Sequence, residues 1–300
     1  MRIALAYIFI ILLWSTTPLA IKWSAEGSGF IFGVTARMSI GLICVLFMLL
    51  LSRQPLPWHS KARQTYFAIA VQIYGSMTAV YWGAQFIPSG WVSVIFGLSP
   101  FITALLTALW LGERSLTWDK LLAYLLGVGG LTLIFSTAIQ MSLQSVLGII
   151  SVLLAVFLQT LSAVWVKRLH AKLPALTQVT GGLIFATPLY LVTWWLIDGI
   201  IPTALPTHSL LSILYLGLIA TPIGFALYYY ILTHLAATRV ALITLISPVL
   251  ALFLGYYLNN EVLTVKIIAG TGLILCALLM HSFMRRSRRN KLSEKRTLIR

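Results

Sequence analysis

The sequence predicts an all-α integral membrane protein, with ten transmembrane helices arranged as two inverted five-helix repeats. Three observations carry that prediction. Hydrophobic residues make up 60% of the 300 positions and charged residues only 9%, against about a quarter charged in a soluble domain. Ten apolar runs have membrane-spanning length. A pattern also recurs at a fixed offset of 148: Tyr81, Val92, Ile95, Ser99, Pro100, Leu106 and Glu113 return as Tyr229, Val240, Ile243, Ser247, Pro248, Leu254 and Glu261. A constant offset over an apolar span with an internal proline marks a duplicated unit.

A helix needs roughly 20 apolar residues to cross a hydrocarbon core of about 30 Å. Segments near 3–22, 30–51, 65–85, 89–111 and 118–136 meet that requirement, as do those near 147–166, 176–197, 210–232, 238–258 and 264–283. The runs are too long, and alternate too little, for a lipid-exposed sheet. The first run follows Arg2 and superficially resembles a secretion signal. It lacks a small-residue cleavage site and continues past Pro18 to Lys22, so it is expected to remain as a helix. Trp14, Thr17 and Lys22 within it align with Gln159, Ser162 and Lys167 at an offset of 145. The chain thus divides into a first repeat (3–136), a second (147–283) and a basic tail (284–300), with an uncharged linker from Thr137 to Val146.

Loop charges orient the helices. With the N-terminus inside, 18 of the 21 Lys and Arg residues fall on the cytoplasmic side, eight of them between Arg285 and Arg300. Lys22 and Lys266 fall outside, and Arg37 lies within a span. The excess places both termini in the cytoplasm. Five spans per repeat is an odd number, so the second repeat enters the membrane from the opposite side. The net charge of +15 is then a topology signal and a surface for anionic lipid at the tail, not a nucleic-acid signal. Cys44 and Cys276 lie in separate apolar segments without metal-ligand spacing, and read as buried thiols. No metal or cofactor is expected.

Several residues stand out against this frame. Pro100 and Pro248 each remove a backbone donor and favour a bend. Ser99, Thr103 and Thr107, matched by Ser247, Ala251 and Gly255, supply small residues for close helix approach. The pair reads either as a bend on which two halves rock or as a static packing seam. Glu113 and Glu261 lie 13 residues beyond the prolines, about 20 Å along a helix, and so at a membrane face. A carboxylate there suits the N-terminus of the helix that follows, with proton coupling as the alternative. Lys22 and Lys167 end the first helix of each repeat, either snorkelling to the interface or closing one mouth of a pathway. Arg37 is an ionisable residue inside a span with no acidic neighbour on its helix. It is read as a contact to a substrate carboxylate or to carbonyls at a neighbouring helix end. Trp14, Gln72 and Gln159 are too deep to be interfacial anchors. With Tyr81, Trp82 and Tyr228 they are the candidates for lining a central cavity.

The chain has no His-Glu-x-x-His, Gly-x-Ser-x-Gly or phosphate-loop motif, so a hydrolase, metalloprotease or nucleotide-driven enzyme is not indicated. Leu13-Trp14-Ser15 with Lys22, Arg37 in the second helix, and the paired Ser-Pro…Glu-…-Leu-Thr segments resemble the drug/metabolite transporter superfamily, and within it the ten-span EamA-like exporters. The resemblance spans about residues 3–283, one EamA domain per half. It implies a basket of ten helices around a central cavity, formed chiefly by helices one, three, four, six, eight and nine. It also implies export of amino acids or related small metabolites. The second half departs from the pattern in having Gly182 opposite Arg37, and Asn260 in place of a glycine before Glu261.

The expected function is therefore a secondary transporter of the plasma (bacterial inner) membrane, exporting a small molecule by alternating access between inverted repeats. The alternative is a multi-span sensor or scaffold whose basic tail recruits a partner. A small-multidrug-like proton antiporter would want an acid deep in helix one, where Trp14 and Ser15 stand.

Overall fold

The computed structural model describes residues 2–112, 118–224, 227 and 243–280. Glu113, Tyr228, Arg239 and the basic tail lie outside the described residues. In chain order the helices are α1 (Arg2–Ser24), α2 (Phe30–Ser52), α3 (Ser60–Ala70), α4 (Met77–Gly83), α5 (Ser89–Phe96), α6 (Ser99–Leu111), α7 (Trp118–Met141), α8 (Leu143–Leu169), α9 (Ala175–Ile197), α10 (Thr207–Leu214), α11 (Ile243–Asn259) and α12 (Val265–Met280). Two π-helical segments extend α3 and α10: π1 (Val71–Ser76) and π2 (Tyr215–Ala220).

Every described helix falls on an expected apolar run, and the physical reason is visible on α1, α2 and α7. Leu5, Ile8 and Leu12 on α1, Ile43, Phe47 and Leu50 on α2, and Leu122, Leu125 and Val128 on α7 are exposed at three- and four-residue spacing. These are outward stripes that only lipid would cover. Among the described residues, seven helices are long and apolar enough to cross a membrane. The segment Ser60–Gly83 is helical throughout but begins with Lys61 and Arg63. The apolar stretches Ile246–Asn259 and Val265–Met280 are shorter.

The most extensive helix contacts run between the two sequence halves rather than within them. The second helix, α2, packs on α9; α3 packs on α9 and α8; α1 packs on α11 and α10; α4 packs on α8 and α5 on α11. The shared interior holds Tyr66, Tyr81, Trp91 and Tyr190, each fully buried. Lipid offers apolar groups as good a solvent as the protein does, so such contacts rest on close packing and hydrogen bonds.

Five expectations need correction. The linker 137–146 is largely helical: α7 runs to Met141 and α8 begins at Leu143. Only Ser142 is extended, and its side chain caps α8 by accepting from the Ser145 amide at 3.1 Å. Ser99 and Pro100 do not sit mid-helix. They open α6, after the helix pauses at Gly97-Leu98, with proline in the first turn where a missing N–H costs nothing. Pro248, by contrast, lies inside α11. The sulfur groups are not deeply buried: Cys44 is half-buried and Cys276 exposed, both free. The remaining two corrections concern Lys22 and Glu261, treated below. One apparent asymmetry disappears. Gly112 and Asn260 both adopt left-handed backbone, with φ of 64° and 51°, and asparagine is the side chain that tolerates this conformation best after glycine.

Candidate functional site

Two polar assemblies connect the halves. The first is a layer of hydroxyls around Arg37. Seven residues into α2, Arg37 is only 7% exposed. The local reason for its position is close approach of α2 to π2, where a Cβ on Gly217 would lie 2.8 Å from Ile40 Cβ. With the helices this near, the Arg37 Nε donates to Thr221 Oγ1 at 3.3 Å, and Nη1 reaches Tyr81 Oη at 3.5 Å. The guanidinium carbon lies 6.0 Å from the Tyr81 ring centroid. These bonds are long, and they go to hydroxyls rather than to helix-end carbonyls, one of the two contacts expected. Among the described residues, no carboxylate pairs with this charge.

Beside it, Thr16 of α1 and Tyr215 of π2 share a hydrogen bond of 2.6 Å. Tyr74 of π1 and Thr193 of α9 do the same at 2.6 Å. Tyr190 of α9 donates to the Ile73 carbonyl at 2.6 Å and accepts a weaker contact from Thr78 at 3.5 Å. A π-turn leaves carbonyls off the regular ladder, and Tyr190 satisfies one of them. The sequence marks Thr78, Tyr215 and Thr221 only as part of a polar and aromatic concentration on their helices, and Thr16 and Tyr190 were missed. Their signal was weak, since a hydroxyl inside an apolar run ordinarily bonds its own helix, as Thr103 and Thr107 do here.

The predicted cavity residues divide. Tyr81 joins the Arg37 layer. Gln72 lies half-buried in π1, next to Ile73. Trp82 is half-buried and packs edge-on to Phe86, with centroids 4.9 Å apart. Trp14 is half-buried and, like Tyr7, Leu227 and Leu250, packs against the buried cluster Ala6, Ile10 and Ile11. Gln159 is half-buried on α8, and Tyr228 lies outside the described residues. An apolar crevice of about 330 Å³ between α6 and α7, lined by Leu98, Phe101, Ile102, Leu105 and Val128, stands apart from this layer.

The second assembly lies where α1, α5 and α11 end. Lys22 does not snorkel. Its Nζ donates to the Ile87 carbonyl at 3.1 Å and faces Glu261 Oε1 at 3.7 Å. Glu261 does not cap the helix that follows it. Instead its carboxylate caps α5: Oε1 accepts from the Ser89 amide at 2.8 Å, and Oε2 from Ser89 Oγ at 3.1 Å and the Gly90 amide at 3.4 Å. Asn259 Nδ2 adds a fourth donor at 2.8 Å, and the Asn259 Oδ1 accepts from Trp23 Nε1 at 3.0 Å. The role expected for the carboxylate was right in kind, but the helix it serves belongs to the other half of the chain. The missing signal was at Ser89: α5 has no cap from its own side chains. Lys167, which the offset of 145 pairs with Lys22, lies in the last turn of α8 and is exposed. Ser247 is buried on α11.

Apolar stripes facing outward and a buried cation among hydroxyls define a multi-span helical membrane protein with a polar interior. The chain belongs to the EamA-like transporter family, whose pattern matches residues 1–136 and again 146–283. It is 24% identical to the uncharacterized transporter YoaV of Bacillus subtilis over 284 residues, 94% of this chain and 97% of that one. It is 27% identical to a probable amino-acid metabolite efflux pump of Escherichia coli over 208 residues, covering 65% of this chain and 68% of the pump. A solved crystal structure with 19% identity superposes with a TM-score of 0.66, covering 95% of this chain and 99% of the other. Membership of a transporter family makes this a non-enzymatic, integral multi-span membrane protein.

Proposed function

We propose that the protein is a secondary transporter that exports amino acids or related small metabolites by alternating access around a central cavity between two inverted five-helix repeats. The observation that carries this reading is Arg37: a buried guanidinium that no described carboxylate neutralises, held among hydroxyls from both halves. A charge left without its counterion in a membrane interior marks a functional site. Substrate carboxylate would complete it, while the surrounding aromatic and apolar groups would accommodate the rest of an amphipathic solute. Trp14, Gln72, Tyr81, Trp82, Gln159 and Tyr228 would line the cavity. The family pattern matches twice, at 1–136 and 146–283, and two such copies running oppositely would supply the exchange of conformations that alternating access needs. In this reading, ten spans cross the plasma (bacterial inner) membrane with both termini cytoplasmic, and the tail 284–300 rests on anionic lipid.

Vesicles reconstituted with the protein and loaded with a panel of amino acids test the reading. Efflux of at least one above empty vesicles supports it, and no flux of any member overturns it. Deleting Arg285–Arg300 separates the alternative: a transporter retains flux, whereas a recruiting scaffold loses its activity.

A further inference from the structure

We infer that Glu261 is the gating residue for one mouth of the pathway. It latches the end of α11 to the N-terminus of α5 and to Lys22 of α1, and Gly255 is the residue that admits it. This goes beyond the transport reading but rests on it, because a latch matters only if solute passes between these helix ends.

The Glu261 carboxylate side chain is only 7% exposed, and the Lys22 side chain 24%. A carboxylate taken out of water is tolerated only when its lone pairs are filled. Here four hydrogen bonds and one ion pair fill them, and all but the Asn259 bond come from α1, α5 and their flanking residues. Two of the donors are backbone amides of the first turn of α5, which also offers the positive end of its dipole. The contact is therefore worth far more assembled than a surface ion pair, yet it is concentrated in one side chain. Either it is intact and the three helix ends are joined, or Glu261 is withdrawn and α5 loses its cap. That is the behaviour of a two-state element rather than of a gradually loosening seam.

Gly255 shows that the approach is built into the sequence. A Cβ at that position would collide with the Glu261 carboxylate and would lie 3.1 Å from Ser89 Oγ. The residue at the corresponding place in the first half is Thr107, so this accommodation is particular to α11. Trp23 and Asn259 make a second tie beside the first. Below the latch, Thr17 lies five residues before Lys22, about 7.5 Å deeper on α1. Thr16, bonded to Tyr215, sits one residue deeper. In the transport reading, this cluster of Lys22, Ser89 and Glu261 stands at the mouth of the route from the hydroxyl layer to this face.

The test measures access without needing the substrate. In full-length protein carrying Cys44→Ser and Cys276→Ser, Thr17→Cys serves as a single probe, modified by a membrane-impermeant maleimide in intact cells and in inverted vesicles. Glu261→Gln and Gly255→Ala are expected to raise the labelling rate from the Lys22 side by about tenfold or more, the shift from losing one charge-assisted bond. They should lower it from the opposite side, because opening one mouth depopulates the other state. Lys22→Met removes the ion pair but keeps the α5 cap, and should shift both rates in the same directions by a smaller factor. Unchanged rates in folded variants overturn the latch, as does an equal rise from both sides, which indicates local loosening. If Glu261→Gln or Gly255→Ala fails to give a monodisperse protein, Lys22→Met decides alone by the same criteria. A labelling shift with no flux of any tested metabolite would overturn the transport reading and leave the latch standing.

Discussion

Gly130 of α7 and Gly270 of α12 press backbone against backbone. A Cβ on Gly130 would lie 2.5 Å from the Gly270 carbonyl oxygen, and one on Gly270 would lie 2.8 Å from the Gly130 carbonyl oxygen. The contact is reciprocal and joins the last described helix of each half. Small residues that permit such approach are the usual means of helix association in lipid, where apolar burial gives little net drive.

Gly130→Ala should therefore lower stability by about 1–3 kcal/mol, the range for forcing atoms into a packed site. Gly272→Ala, two positions along α12 from Gly270, would meet nothing within 4 Å and should leave stability unchanged or slightly raised. Thermal unfolding in detergent checks the pair. Equal midpoints for both variants would mean that this crossing does not contribute to stability.

Tyr190 should be equally sensitive for a different reason. Removing its hydroxyl with Tyr190→Phe takes away the donor to the Ile73 carbonyl at 2.6 Å and the Tyr74 carbonyl at 3.1 Å, at a penalty of about 0.5–1.5 kcal/mol. A lower unfolding midpoint, together with faster amide exchange in residues 71–77, is the expected outcome. A midpoint equal to that of the unsubstituted protein would show that the π-turn does not depend on this bond.

For Arg37, charge and shape can be separated. Arg37→Met should reduce export by at least about tenfold at unchanged folded yield, since a charge-assisted contact of about 1.5–3 kcal/mol is lost. Arg37→Lys keeps the charge but loses the planar fork that pairs with carboxylates, and should recover only part of the flux. Full activity in both variants would remove Arg37 from the binding site.

Trp14→Ala and Gln159→Ala should alter the concentration dependence of transport without lowering the amount of monodisperse protein. Both side chains are half-buried. Kinetics identical to the parent in both variants would exclude them from the cavity.

The helical frame was readable because lipid imposes one demand, a long apolar run, and composition answers it directly. Segment ends near 30, 89 and 197 agree with the helix limits Phe30, Ser89 and Ile197. The helix expected to end near 136 continues to Met141, because Thr137–Met141 is apolar enough to continue a helix but too short to look like one alone. The polar sites were less legible. Lys22 and Glu261 were singled out individually, but their union depends on residues 172 positions apart, Ser89 and Glu261, meeting across the two halves. Tyr190 looked like one aromatic among many. Its importance comes from the π-turn opposite, and nothing in Val71–Ser76 announces a departure from ordinary helical geometry.

The single extended residue between α7 and α8 bears on how the molecule is made. Ser142 alone separates α7 from α8. In the proposed topology the two helices then enter the bilayer as one hairpin, with no charged loop between them. That elbow would couple the orientation of the second half to that of the first, beside the basic residues of its own loops. A charged spacer inserted at Ser142 would uncouple the two decisions and yield a mixture of topologies from a chain whose every helix is intact.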